Sequence, residues 1–320
     1  MEDDERERMM ESHPIREKTY RLYTPMLERT YEIVRDRVWT RRTGIFFYGP
    51  PRLGKTTCAE EVCAALIEEF PKIYVCMLSA RGTLRPSDSH MFRLYLEAVD
   101  HKMAFRTDSR RLFNNTKTDI LMNVGIRGGS QFVLIIDEMQ LLNDTDLEQL
   151  LVLHNALGKD KVKMTTVAFA QPEIKHKVTA LLTKGQRQII ARFLSEPVAF
   201  VGCTDLRGFE KLLIGYDGNS EFPEGSGWSY TQFFFPVAFS NGFRLQNYGK
   251  KIWASLLSSM EEEKQNGIPM EHVCLTIEYI LLALRTEDCS SFILSDENIN
   301  DAVEASNLKY FSTLMSSSVS

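Results

Sequence analysis

The chain has 320 residues, enough for one large domain or two smaller ones, and its 43% hydrophobic and 25% charged residues are ordinary for a folded globular protein. A formal net charge of −5 gives no direct indication of a nucleic-acid partner. The sequence predicts neither a membrane helix nor a secretory signal, because its apolar runs are short and its first residues are acidic and polar. The cysteines are scattered without a CxxC pair, which favours a reduced, cytoplasmic protein.

The N-terminal residues 1–19 read as an acidic, flexible tail, because they combine many charges with few apolar side chains. From Tyr20 to Trp39 the apolar residues recur near helical spacing. Thr24 followed by Pro25 is a typical helix start. We therefore predict that the ordered chain begins at about residue 20 with a helix.

Short apolar runs then alternate with helical patterns. The predicted strands cover residues 45–48, 73–78, 132–136 and 164–169, and the predicted helices cover residues 56–70, 88–103 and 146–157. The third run is apolar throughout, as expected for a strand covered on both faces. Strands that alternate with helices indicate an α/β fold with a parallel sheet flanked by helices, which we assign to residues 20–239.

The pattern changes after about residue 209. A stretch rich in glycine, serine and phenylalanine, residues 215–235, resembles a surface loop or hairpin. Beyond it only helical patterns occur, at residues 243–260, 272–284 and 296–311, and Ser295 is a suitable cap for the last of these. The sequence thus predicts a small all-helical C-terminal domain over residues 240–320.

The first predicted strand leads directly into a phosphate-binding pattern, GxxxxGK[ST]. The residues that we expect to hold a nucleotide here are Gly49, Pro50, Pro51, Arg52, Leu53, Gly54, Lys55, Thr56 and Thr57. Backbone N–H groups of such a loop surround phosphates, Lys55 would contact the outer phosphates, and Thr56 would offer a hydroxyl to Mg²⁺. A purely structural turn is the alternative, but the strand before it and the helix after it favour an ATP site.

The strand at residues 132–136 ends in two carboxylates, Asp137 and Glu138, the form of a Walker B motif. Asp137 would hold Mg²⁺, and Glu138 would orient and activate the attacking water. A strand that merely ends in a polar turn would look the same. Together with the phosphate-binding loop, the pattern favours magnesium-dependent ATP hydrolysis.

Phosphoryl transfer needs further polar and cationic groups around the γ-phosphate. Gln171, just after the fourth strand, is a candidate sensor, although it could be an ordinary turn residue. Arg192 is a candidate arginine finger toward a neighbouring subunit, with Arg187 as its competitor. Arg244 could connect the C-terminal domain to the phosphates, and each arginine could instead be a solvated surface charge.

Several segments together resemble the TnsC/TniB group, the AAA+ regulators of Tn7-like transposons, including CRISPR-associated ones. They are YRLYTPMLE, YGPPRLGKTT, FVLIIDE, TTVAFAQPEI, IIARF and NGFRLQNYGKKIW. The resemblance extends from about residue 20 to residue 256 and weakens in the last helices. Arg52 departs from the commonest AAA+ loop, which has glycine there.

This resemblance implies an AAA+ fold and an ATPase that assembles as a ring or short filament around double-stranded DNA. It also implies a link between a TniQ-type targeting protein and a TnsA/TnsB-type transposase, with hydrolysis promoting disassembly. Lys55, Thr56, Asp137 and Glu138 would keep the roles given above, Arg192 would act in trans and Arg244 in cis. The protein would be cytoplasmic in a prokaryote and nucleoid-associated when bound to DNA.

Basic residues outnumber acidic ones in two stretches, residues 101–130 and 159–192, despite the negative overall charge. A ring that follows the DNA backbone needs few phosphate contacts per subunit, since many subunits add. The alternative to DNA contact is that these two stretches are ordinary solvent-exposed helix faces. Our candidate DNA contacts are Lys102, Arg106, Arg110, Arg111 and Lys117.

Two other functions compete with an assembly platform on DNA. One is a helicase loader or remodelling motor, but the segment 80–83 is polar where a motor would carry an aromatic pore loop. The other is a signalling ATPase that works without DNA and that would carry an added sensor domain. We expect neither an aromatic pore loop nor an added sensor domain here, and this favours an assembly platform on DNA.

Overall fold

A computed structural model describes residues 3–83, 85–102, 104, 108–260 and 266–317. The chain divides into two units: residues Arg29–Phe200, here the sheet unit, and residues Met1–Glu28 with Val201–Ser320, here the helical unit. In the described residues, none of the helices has both the length and the apolar character needed to cross a bilayer.

The sheet unit contains five parallel strands in the spatial order β2-β3-β4-β1-β5. Their bounds are β1 (Gly44–Tyr48), β2 (Tyr74–Ser79), β3 (Gln131–Asp137), β4 (Lys163–Ala170) and β5 (Pro197–Ala199). Every residue of the inner strand β3 is buried, which explains the apolar run at residues 132–136. The predicted α/β fold is confirmed, and β5 is an additional short edge strand that the sequence pattern did not predict.

Helices cover the sheet, and the turn after β3 is a short 3₁₀ helix at Met139–Leu141. The helices are α3 (Pro25–Trp39), α4 (Lys55–Glu69), α5 (His90–Ala98), α6 (Ser109–Ile126), α7 (Asp144–Lys159), α8 (Ile174–Thr183) and α9 (Arg187–Phe193). Helix α6 was missed because it buries only one narrow stripe, including Leu112 and Ile120, between many polar residues. Its N-cap is Asp108, whose carboxylate accepts the Arg111 N–H at 3.1 Å.

The helical unit consists of helices around its own apolar core. They are α1 (Asp3–Met9), α2 (Pro14–Glu17), α10 (Leu206–Asp217), α11 (Tyr230–Phe234), α12 (Pro236–Ser240), α13 (Gly249–Ser258), α14 (Met270–Ala283), α15 (Asp296–Ala305) and α16 (Leu308–Ser317). The predicted helical C-terminal part is confirmed, and Ser295 caps α15 as expected. The single helix predicted at 296–311 is interrupted at Asn307, which has a positive φ of 57°.

Residues 215–235 are not the surface loop or hairpin that we predicted. The segment contains the end of α10 and all of α11, and Phe233, Phe234 and Phe235 are at most 1% exposed. Three consecutive phenylalanines are too apolar for a solvated loop, and burying them stabilises the helical unit. The structural division accordingly falls at residue 201, about forty residues before the domain boundary that we predicted at 240.

The N-terminal residues also differ from the predicted flexible tail. His13 and Ile15 are completely buried in the helical unit, and the His13 ring contacts the rings of Phe222 and Phe234. His13 Nδ1 accepts the Ile15 N–H at 3.0 Å and so caps α2. Burial lowers the pKa of His13 to about 3, so the ring is neutral at physiological pH. A few apolar and aromatic contacts thus outweigh the charged composition of this segment.

Replacing Ile15 tests whether this segment is part of the folded core. We expect Ile15→Ala to lower the free energy of unfolding by about 2 to 5 kcal/mol, because it leaves a cavity among buried side chains. Glu11→Ala is the control, since Glu11 forms an exposed ion pair with Arg16 and no other ion pair within the described residues. Chemical denaturation followed by circular dichroism measures both, and equal stabilities would contradict the packing described.

Candidate nucleotide-binding site

The loop between β1 and α4 has the shape required to surround a phosphate chain. Gly49 donates its N–H to the Ala170 carbonyl at 3.2 Å, and a Cβ at Gly49 would lie 2.3 Å from the Phe200 carbonyl oxygen. Only glycine fits so close an approach. At the other end of the loop, Gly54 has a φ of 89° and precedes an α4 N-terminus that has no side-chain cap. The first N–H groups of α4 are therefore suited to an anionic ligand.

Arg52 adopts the conformation that glycine takes easily, with a φ of 67°. A non-glycine residue in this left-handed region costs about 1 to 2 kcal/mol. The loop thus keeps the backbone path of a glycine-containing loop despite the arginine. Beside it, Leu53 is 2% exposed and anchors the loop in the core, whereas Thr57 is exposed on the first turn of α4.

Lys55 is only 6% exposed, and its ammonium group donates to the carbonyls of Gly49 at 2.8 Å and Pro50 at 2.7 Å. Burial lowers the pKa of Lys55, and the neighbouring carboxylates of Glu138, Asp137 and Glu173 oppose that shift. The side chain therefore lies along the loop, with its charge at the place where the outer phosphates would be neutralised.

Thr56 and Asp137 meet between the loop and the end of β3, where the Thr56 hydroxyl donates to Asp137 Oδ2 at 2.7 Å. Asp137 is 3% exposed, and burial raises the pKa of its carboxyl group. A cation would relieve this cost, and a hydroxyl beside a carboxylate is the oxygen donor set that Mg²⁺ prefers. These two residues fit a magnesium ion, which would neutralise phosphate charge.

Glu138 follows directly and has a left-handed backbone, with a φ of 55°. Its Oε2 accepts hydrogen bonds from two amide side chains: Gln171 Nε2, at 3.1 Å, and Gln140 Nε2. The backbone N–H of Gln171 in turn donates to Gln140 Oε1 at 3.0 Å. The structure therefore brings the predicted sensor Gln171 into contact with Glu138.

Gln140 was missed by our sequence reasoning. Its only signal was an amide side chain two residues beyond Glu138, within a turn of otherwise apolar residues. Recognising it required the left-handed turn at Glu138, which the sequence pattern does not reveal.

Arg192 lies in the last turn of α9 and is half-buried. Within the described residues its guanidinium makes no hydrogen bond or ion pair, although its charge adds to the burial that lowers the pKa of His154. The competing Arg187 is exposed at the start of the same helix. Neither arginine contacts the side chains of Lys55, Asp137 or Glu138 in this chain, so a finger role for either stays a prediction.

Arg244 belongs to the helical unit, where its guanidinium donates to the carbonyls of Phe239 at 2.8 Å and Phe243 at 2.6 Å. The same group lies 3.3 Å from the centre of the Phe239 ring. These contacts fix the side chain locally, and its predicted role toward the phosphates stays a prediction.

The candidate DNA contacts have different surroundings. Lys102 and Arg110 are exposed, whereas Arg111 pairs with Asp108 at 3.5 Å and Lys117 pairs with Asp160 at 2.7 Å. Arg106 lies outside the described residues. The positive charge of this stretch is therefore partly neutralised within the chain.

Residues 39–178, all within the sheet unit, match the model of the AAA domain family. A search of curated protein sequences found no match to this chain.

Among solved structures, the ORC2 protein of Aeropyrum pernix is similar in two forms. Its ADPNP-ADP complexes share 12% identity with a TM-score of 0.59, covering 92% of this chain and 71% of that one. Its ADP form shares 13% identity with a TM-score of 0.58, covering 89% of this chain and 69% of that one. Domain III of the Thermotoga maritima replication initiation protein DnaA has a TM-score of 0.49 at 15% identity. The match covers 89% of this chain and 93% of that one. At these identities the similarity to the ORC2 protein shows a shared fold.

Removing the Thr56 hydroxyl tests the magnesium site. We expect Thr56→Ala to weaken Mg²⁺-dependent ATP binding by at least the roughly 10- to 100-fold that a supporting residue of a metal site typically contributes. Binding measured in EDTA should change little, because Lys55 and the loop remain. Titration of a fluorescent ATP analogue with and without MgCl₂ separates the two quantities. Thr179→Ala on the exposed face of α8 is the control, and equal losses with and without Mg²⁺ would contradict the assignment.

Proposed function

We propose that this protein is an ATPase in which ATP drives self-assembly on double-stranded DNA. The observation that carries the ATPase part is the convergence of Lys55, Thr56, Asp137 and Glu138 at one edge of the sheet, with Thr56 bonded directly to Asp137. Phosphoryl transfer to water requires positive charge around the phosphates and a group that positions the water. Lys55 supplies a cation, Thr56 with Asp137 would hold a metal ion, and Glu138 is the separate carboxylate.

Each residue has a distinct role in the proposed reaction. Lys55 and the N-terminus of α4 hold the β- and γ-phosphates, and Thr56 with Asp137 holds Mg²⁺. Glu138 accepts a proton from the attacking water, and its Oε1, which accepts no hydrogen bond within the described residues, is the oxygen positioned for this task. Gln171 contacts Glu138, and we assign it the role of sensor toward the γ-phosphate. The similar ORC2 protein was solved as ADPNP-ADP complexes, which supports a nucleotide at this fold.

In the proposed function, two arginines connect ATP binding to the assembly of subunits. Arg192 is half-buried and makes no ion pair within its own chain as described, which suits a finger that completes a neighbour's site. Arg244 would report the nucleotide state in cis. ATP then stabilises the contact between subunits, and hydrolysis releases it.

The role in transposition is supported by the sequence resemblance to the TnsC/TniB group. In that role the assembled protein links a TniQ-type targeting protein to a TnsA/TnsB-type transposase. The exposed Lys102 and Arg110 support sequence-independent contacts with the DNA backbone. The competing functions, a remodelling motor and a DNA-independent signalling ATPase, share the same nucleotide chemistry and differ in what triggers assembly.

The Glu138→Gln variant tests the catalytic carboxylate and the switch together. We expect ATP binding within about twofold of the parent and hydrolysis reduced at least 100-fold, the scale at which general base catalysis contributes. Because ATP then persists, the variant should remain assembled on DNA, whereas Lys55→Ala should not assemble.

Gel filtration and negative-stain microscopy with duplex DNA, and with ATP, ADP or no nucleotide, measure this assembly. Rings or filaments that form with ATP but without DNA would favour the signalling function. Hydrolysis by Glu138→Gln at the parental rate would refute the role of Glu138.

Arg192→Ala tests the finger. We expect it to leave nucleotide binding by the monomer intact while reducing the rate of hydrolysis about 1,000-fold, which is within the usual contribution of an arginine finger to kcat. Arg187→Ala, on the same helix, is the matched control. The in-trans role is also checked by mixing Arg192→Ala with Lys55→Ala: each supplies what the other lacks, so the mixture should recover part of the activity. Loss of ATP binding by the Arg192→Ala monomer would contradict the assignment.

A further inference from the structure

Gln140 occupies a position next to Glu138 that neither the phosphate-binding loop nor the Walker B pattern accounts for. It lies in the 3₁₀ helix that follows β3, and its side chain uses both ends of its amide. Nε2 donates to Glu138 Oε2, and Oε1 accepts the Gln171 backbone N–H at 3.0 Å. The acceptor bond fixes the orientation of the amide, because the reversed amide would point its NH₂ group at another N–H.

Both glutamines donate to the same oxygen of Glu138. Gln140 Nε2 and Gln171 Nε2 bind Oε2, while Oε1 accepts no hydrogen bond from the described residues. A carboxylate held by one oxygen cannot rotate freely, and its other oxygen keeps a fixed direction. A general base needs this fixed direction, since proton transfer depends on the position of the accepting oxygen.

The turn that carries Gln140 is itself held in place by neighbouring residues. Lys177 of α8 donates its ammonium group to the Gln140 backbone carbonyl at 2.9 Å, and burial lowers the pKa of Lys177. The preceding Met139 is completely buried. The glutamine therefore stands on a fixed turn rather than on a mobile loop, which lets it orient a neighbour.

We propose that Gln140 is a positioning residue for ATP hydrolysis: it holds Glu138 Oε2 and couples that carboxylate to the sensor Gln171. This inference deepens the proposed function and rests on it. Movement of Gln171 toward a γ-phosphate would be transmitted to Glu138 through the shared amide of Gln140. Gln140 acts through Glu138 and need not touch the nucleotide.

Gln140→Glu separates positioning from scaffolding. The substitution has nearly the same shape and keeps an oxygen to accept the Gln171 N–H, but it replaces the donor to Glu138 by a second carboxylate. We expect kcat to fall about 100-fold, the scale of a misplaced catalytic group, while KM and the Kd for ATP stay within about twofold. Gln140→Ala, which removes both bonds, should lower kcat similarly.

Gln186→Glu is the matched control. Gln186 donates to Glu148 at 2.7 Å, so this substitution creates the same pair of facing carboxylates away from the nucleotide site. It should leave kcat at the parental value. Melting temperatures of all variants, measured by circular dichroism, show whether each is folded.

The double variant Gln140→Glu with Glu138→Gln completes the test. If Gln140 acts through Glu138, adding the Gln140 substitution to Glu138→Gln should lower the residual rate no further, and this non-additivity supports the proposal. A folded Gln140→Glu protein with parental kcat overturns the role of Gln140 and leaves the ATPase assignment intact. A parent protein without ATPase activity overturns the proposed function itself.

Discussion

Parallel pairing of β4 with β1 on one side and with β3 on the other fixes which residues meet at the nucleotide edge. Tyr48 lies opposite Ala170, so the phosphate-binding loop and Gln171 leave the sheet side by side. Ile136 lies opposite Ala168, which brings the two carboxylates after it to the same edge. A shift of one residue in either pairing would reverse the faces of a strand and separate these groups. The buried core that fixes the pairing register of the strands therefore also determines which residues meet at the nucleotide site.

Much of this arrangement follows from the sequence because it depends on strong, local patterns. Four of the five strands are apolar runs long enough to recognise, and the loop and carboxylate motifs attach directly to β1 and β3. Strand β5 escaped prediction because it has three residues and begins with proline. It becomes a strand by pairing with β1, which is distant in the sequence, so no local pattern predicts it.

The remaining differences have a common physical origin in tertiary contacts. The charges of the N-terminal segment suggested solvation, but His13 and Ile15 find aromatic and apolar partners far along the chain. The turn after β3 is similar, since the contact between Gln140 and Glu138 needs a left-handed residue that sequence periodicity cannot predict.

Burial of Lys55 and Asp137 has a consequence for how the protein behaves as its nucleotide supply changes. Each charge is removed from water at a cost, and the pKa shifts of the two groups, downward for the lysine and upward for the aspartate, both record that cost. Phosphates and a cation would offset it, so a nucleotide would complete the packing of the domain. By mass action, a ligand at a thousand times its Kd stabilises a folded protein by about 4 kcal/mol. The abundance of intact protein would then follow the energy state of the cell before any partner is engaged.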